Sequence, residues 1–153
     1  MLYLQFYVDD DRYIIATDNV VEVMPLVSLQ RKSNAPEYIC GMAVYRGHSL
    51  PVVDLCRLLI GRPCKQRLSS RIVVADVRHG GNVRRLGFMV EKMTGTVKFE
   101  NDAFLSSGVV NPGTPYLHEV VIDDAGMAQD IRLEEVLDNT AYELLFSEKD
   151  RAV

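Results

Sequence analysis

The feature of this sequence that most restricts its fold is the spacing of its apolar segments. Short runs of β-branched, aromatic and aliphatic residues recur along most of the chain, and each is closed by Gly, Pro, Asn or Asp. Runs that short are strand-length, and their close punctuation favours antiparallel barrels or a sandwich over helices or a parallel sheet. Tyr3–Val8 alternates, Asp9-Asp10-Asp11 makes a polar turn, and Tyr13–Ala16 returns as a second strand. Asp18 then precedes Val20, Val21, Val23 and Met24. This stretch is compatible with a short helix capped by Asp18 and stopped by Pro25, or with a strand on account of its β-branched residues. Residues 25–37 read as a surface loop, followed by strands at Tyr38–Tyr45 and Leu50–Val53 joined by Arg46-Gly47-His48-Ser49. Pro51 lacks an N–H, which favours an edge strand or a strand start.

Asp54 is placed to cap a helix over Leu55–Ile60 that stops at Gly61. After a basic loop from Arg62 to Arg67, Arg71–Val77 and Val83–Val90 form a hairpin around His79-Gly80-Gly81-Asn82. Further strands are expected at Gly95–Phe99, Tyr116–Ile122 and Met127–Ile131, the last two joined through Asp123–Gly126. Only the end reads as a longer helix: Leu133, Val136, Leu137, Ala141, Leu144 and Leu145 fall on one stripe, with Asp130 as the cap. The expectation is therefore a mainly β chain of eight to ten short strands. About seventy residues per half suffice for two five-stranded barrels sharing a hydrophobic seam, with short helices and a C-terminal α-helix.

Composition narrows the function. With 48% hydrophobic and 25% charged residues, the chain is neither disordered nor fibrous. Its apolar runs fall far short of the roughly 20 residues a membrane helix needs, and it opens on a strand pattern rather than a signal segment, so a cytoplasmic protein is expected. The net charge is −4; residues 1–70 hold 8 basic and 7 acidic groups and residues 71–153 hold 9 and 14. No basic stripe emerges, which argues against nucleic acid as a partner. Cys40, Cys56 and Cys64 form no C-x-x-C pair, and His48, His79 and His118 stand singly, so no metal and no cofactor is expected and the thiols read as buried, free groups. The sequence holds no G-x-S-x-G, phosphate-binding loop, H-E-x-x-H or dinucleotide fingerprint. A thiol enzyme would need the fold to assemble a dyad such as Cys40–His48 or Cys56–His118.

What stands out instead is Gly41–Leu55, a glycine-containing hairpin that presents Arg46 beside apolar strands. An arginine so placed is either an interface anchor or a solvated turn residue paired internally with Asp54. Val20 poses the same choice between a core residue and a groove residue. A small-barrel module for RNA or oligosaccharide is the competing binding function.

The order of these segments resembles CheW-like domains. The matching strings are Val20-Val21-Glu22-Val23, Ala35–Gly41, Tyr45-Arg46-Gly47, Leu50–Leu55 and Leu86–Glu91, spanning about residues 3 to 145. Val44-Tyr45 stands where the family usually has Asn-Leu, and Met127–Asp130 is less apolar than its penultimate strand. The resemblance implies a single domain over 1–153 made of two intertwined SH3-like five-stranded barrels, with a change-over near 65–72 and termini available for exchange. It also implies a non-catalytic adaptor between a methyl-accepting chemoreceptor's cytoplasmic tip and the regulatory domain of a CheA-type histidine kinase. On that footing, Val20, Val23, Gly87 and Thr96 would line the receptor groove, and Met89, as an apolar residue, would join Val20 and Val23 in accepting the apolar stripe of a helical hairpin. Glu22, Gly41, Arg46 and Gly47 would serve complex assembly.

Overall fold

The computed structural model describes residues 1–108 and 111–146. Strands β1 (Leu2–Val8), β2 (Asp11–Ala16), β3 (Val20–Pro25), β4 (Ile39–Tyr45) and β5 (His48–Asp54) lead into helix α1 (Leu55–Ile60). Strands β6 (Arg71–His79), β7 (Asn82–Val90), β8 (Met93–Lys98), β9 (Phe104–Leu105), β10 (Leu117–Asp123) and β11 (Gly126–Ile131) follow, and α2 (Asn139–Leu145) comes last. They form a six-stranded sheet in the order β8-β1-β2-β11-β10-β9 and a five-stranded sheet in the order β3-β6-β7-β5-β4. The mainly β architecture is as expected. The chain leaves the first sheet after Ala16 and returns to it at Met93, so residues 65–72 join α1 to β6 within one sheet and mark no change-over.

Why the two sheets pack together follows from β1 and β2, whose faces are buried on both sides. Leu4, Phe6, Val8, Tyr13 and Ile15 belong to the main core shared with the five-stranded sheet and α2. Tyr3 and Ile14 belong to a second core with Phe99, Val121 and Ala128. Successive strand residues point to opposite faces, so one hairpin serves as the wall between two cores. The centre of the other sheet is two-sided as well: Ile72 to Ala75 and Leu86 to Val90 are all buried.

Local chemistry sets the turns. Arg46 and Gly47 both have positive φ (50° and 78°), as do Gly80 and Gly81 (56° and 79°), giving two-residue hairpins that match strand twist. The link at 46–49 is thus tighter than the four residues expected, with His48 already in β5. Asp54 accepts the Arg57 amide at 3.1 Å and Gly61 (φ 76°) ends α1, both as the sequence indicates. Residues 20–25 are strand, because β6 offers the β-branched run a ladder from Val20↔Ala75 to Pro25↔Arg71. Pro51 sits in an interior strand. It is tolerated because Met42, opposite it, bonds Gln30 instead, and the ladder to β7 begins only at Val52.

The terminal helix is shorter than expected. Leu133–Glu135 is a 3-10 turn, α2 starts at Asn139, and the cap is Asp138, whose carboxylate accepts the Ala141 amide at 2.8 Å. Asp130 lies inside β11. The apolar stripe survives the break because Leu133, Val136, Leu137, Ala141 and Leu145 all enter the same core. Tyr142 stacks on His79 at 3.8 Å and fixes α2 over the tip of the β6–β7 hairpin.

Gly87 has no room for a side chain: a Cβ there would lie 2.9 Å from Ile72 Cγ2 and 3.2 Å from Val52 Cγ2. Gly87→Ala should therefore cost about 1–3 kcal/mol, as overpacking does. A lowered urea midpoint with an unchanged m-value would show it, and an unchanged midpoint would show that the sheet yields freely.

Candidate partner-binding surface

The five-stranded sheet is rolled, and its two edge strands meet at one end through side chains. The Tyr45 hydroxyl at the end of β4 hydrogen-bonds the Glu22 carboxylate on β3. The next residue, Arg46, places its guanidinium 5.0 Å from the Tyr45 ring centre and 3.8 Å from Glu22, with 63% of its side chain exposed. Arg46 therefore pairs across the sheet ends. The alternative partner, Asp54, is buried and committed to capping α1. Such an exposed pair adds little stability, but the ring and carboxylate limit where the guanidinium points. Gly47 beside it supplies only the turn.

A second ion pair lies on the same rim. Arg85 Nε and Asp76 Oδ1 are 2.8 Å apart, and the Arg85 guanidinium carbon lies 6.0 Å from the Tyr45 ring centre. Together with His48 and Val83 they border an open depression of about 300 Å³. The sequence did carry the signal for this pair. A two-residue turn at Gly80-Gly81 fixes the register and sets Asp76 opposite Arg85.

The residues expected to form one groove fall in three places. A bulge between Val20 and Glu22 shifts the alternation, so Val20 and Val23 share a face, aligned with Ala75 and Val73, and both are half-buried. Gly87 and Met89 lie on the opposite, inner face and are buried. Gly87 shares a cross-sheet row with Glu22, Val74, Val52 and Gly41. Gly41 has φ 149°, and a Cβ there would come within 2.8 Å of the Gln30 carbonyl oxygen, so its place is structural. Thr96 is exposed on β8, the edge of the other sheet, opposite Leu4.

Two polar clusters escaped the sequence reading because each joins residues distant along the chain. Arg12, buried in β2, grips Asp123 through two bonds of 2.6 and 3.1 Å and donates to the Gly126 carbonyl at 2.9 Å, locking the β10–β11 turn to the first hairpin. At the crossing from β7 to β8, Glu91 is 1% exposed yet charged. Arg62 Nη1 bonds it at 2.6 Å and the Lys65 amide at 2.8 Å, while Arg62 also holds Asp9 at 2.8 Å. Burial pushes the Glu91 pKa up. The Arg62 hydrogen bonds, the Lys65 amide and the Cys56 thiol outweigh it and bring the pKa down to about 2.

Cys40 and Cys64 are the reverse of activated nucleophiles. Burial, with Asp54 adding to it, pushes Cys40 up to about 12, and its Sγ donates to the Val52 carbonyl at 3.3 Å. Cys64 is raised by its hydrogen bond with Cys56 and by burial. His118 turns to Glu119 at 3.5 Å and Arg132 at 3.3 Å. A thiol held protonated attacks poorly.

What the fold defines is a small two-sheet β domain. No helix among the described residues is long and apolar enough to cross a membrane. A sequence model of the CheW-like domain matches residues 2–141, and the chain belongs to that family of scaffold and adaptor proteins. It is similar to the chemotaxis protein CheW of Helicobacter pylori (strain ATCC 700392 / 26695), with 27% identity over 99 residues. That stretch is 64% of this chain and 57% of the relative's length. Its fold matches the scaffolding protein TtCheW from Thermoanaerobacter tengcongensis with a TM-score of 0.80 at 21% identity, covering 94% of this chain and 92% of the other.

The Glu91 cluster makes stability fall in acid. A carboxylate whose folded pKa lies near 2, against 4.5 unperturbed, adds stability that is fully present above pH 4.5 and is lost as the pH drops towards 2. The amount is on the order of 3 kcal/mol. Removing Arg62 leaves a buried charge unpaired, so Arg62→Met should lose about 3–5 kcal/mol at neutral pH and show a flatter acid limb. Urea titrations from pH 7 to 3 on both proteins measure this, and parallel pH profiles would deny the coupling.

Proposed function

We propose that this chain is a non-catalytic coupling protein that joins the cytoplasmic tip of a methyl-accepting chemoreceptor to the regulatory domain of a CheA-type histidine kinase. Family membership supports the adaptor role. The observation that carries the reading is the rim at the rolled end of the five-stranded sheet, where Tyr45 and Glu22 hold an exposed Arg46. A planar, multidentate cation on a short turn suits orientation of a partner more than bulk affinity. No cofactor enters this function.

The receptor tip, an apolar-striped helical hairpin, lies in this reading along β3 against Val20 and Val23, with Thr96 on β8 as an outer contact; this is a helix-in-groove mode. Gly87 and Met89 act from beneath, by setting the packing of the strands that carry the contact. The kinase domain docks at the barrel end marked by Glu22, Arg46 and Gly47, with Gly41 keeping β4 in place.

Arg46→Glu should abolish co-sedimentation with a receptor–kinase mixture while the far-UV circular dichroism stays unchanged. Assembly and kinase activation at wild-type levels in that variant would remove Arg46 from the interface. Val20→Lys separates the two partners: receptor binding should drop at least tenfold, about 1.4 kcal/mol, with kinase binding retained. Equal loss of both would mean that Val20 is core.

A further inference from the structure

The region around α1 holds a cluster that the adaptor reading does not use. One side-chain donor atom each from Asp54, Cys56 and Cys64 lies within 4.8 Å of the other two, and all three residues are buried. The chain brings them together by local means: Asp54 caps α1, Cys56 sits in its first turn, and Gly61 in the left-handed conformation turns the backbone so that Cys64 returns beneath the cap. We propose that these three residues bind one thiophilic divalent cation of the zinc type.

The donor set points to that class. Two sulfurs and a carboxylate suit zinc, and calcium or magnesium would want oxygen alone. A tetrahedral ion with metal–sulfur bonds of about 2.3 Å holds neighbouring donors roughly 3.5–4 Å apart, so the cluster needs to contract by at most about 1.3 Å. The carboxylate is already oriented, as metal-binding carboxylates are, by outer hydrogen bonds. The Arg57 amide donates to it at 3.1 Å, and the Cys64 amide reaches its two oxygens at 3.2 and 3.0 Å. Three protein donors leave the fourth tetrahedral position to a water. On binding, each thiol releases its proton to solvent and its sulfur lone pair bonds the ion. The competing arrangement is two small buried thiols that merely fill space, with Cys64 Sγ donating to the Met89 carbonyl at 3.4 Å.

The test uses the full chain, reduced and stripped of metal. Titration with cobalt(II) should saturate at one equivalent, with near-ultraviolet sulfur-to-cobalt charge-transfer bands and the intense visible bands of a four-coordinate ion. Zinc should displace it. Cys56→Ser and Cys64→Ser should each weaken zinc retention at least tenfold, about 1.4 kcal/mol, while Cys40→Ser binds as wild type. Should the buried variants fail to fold, equilibrium dialysis of the wild-type protein against zinc decides alone. Retention well below one ion per chain, cobalt spectra without sulfur bands, or reduced protein that forms a Cys56–Cys64 disulfide in air but takes up no metal would overturn the proposal.

Discussion

Burial of the β1–β2 hairpin on both faces is the constraint on which this structure rests. A sheet with one apolar face needs one partner layer, whereas a hairpin with two such faces must stand between two. Phe6 and Ile15 turn one way, Tyr3 and Ile14 the other, and the chain has to supply a core on each side. It does so by sending residues 20–90 into one sheet and wrapping β8 to β11 back onto the hairpin. Arg12 fastens that return at Asp123, and Arg62 fastens the crossing at Glu91. The second pair sits where the chain crosses between layers, the first lies within the six-stranded sheet, and in each one partner is buried.

Local rules made most of the strands legible. Asp54, Gly61 and the Gly80-Gly81 turn behaved as capping and turn chemistry require, because their partners lie within a few residues. What escaped was long-range. The stripe from Leu133 to Leu145 has helical spacing, yet Asp138 competes for the backbone and restarts the helix, and the spacing could not reveal a break that leaves all of its apolar residues except the exposed Leu144 in the same core. The parallel pairing of β2 with β11 and the Glu91–Arg62 pair link segments that carry no mutual signature in sequence.

The candidate surface was half legible for the same reason. Glu22, Arg46 and Gly47 do meet, since one hairpin turn and one edge strand place them. Val20 and Val23 also share a face, but only through a bulge. Gly87 belongs to the groove by its place in a family string and Met89 by its apolar side chain, and the alternation of β7 puts both inside. Tyr45, a departure from the usual leucine, has a role here: its ring and hydroxyl steer the neighbouring guanidinium in a way an aliphatic side chain has no means to do.

The parallel ladder between β2 and β11 has a consequence for the nascent polypeptide. Ala128 pairs with Arg12, so the first hairpin is made on the ribosome long before the strand that completes its sheet. The segment that forms the other sheet is contiguous and emerges whole in the meantime. Translation therefore delivers a fully paired inner sheet, its core still lacking α2, and an unfinished flap whose exposed edge must stay unclaimed until the last hairpin arrives.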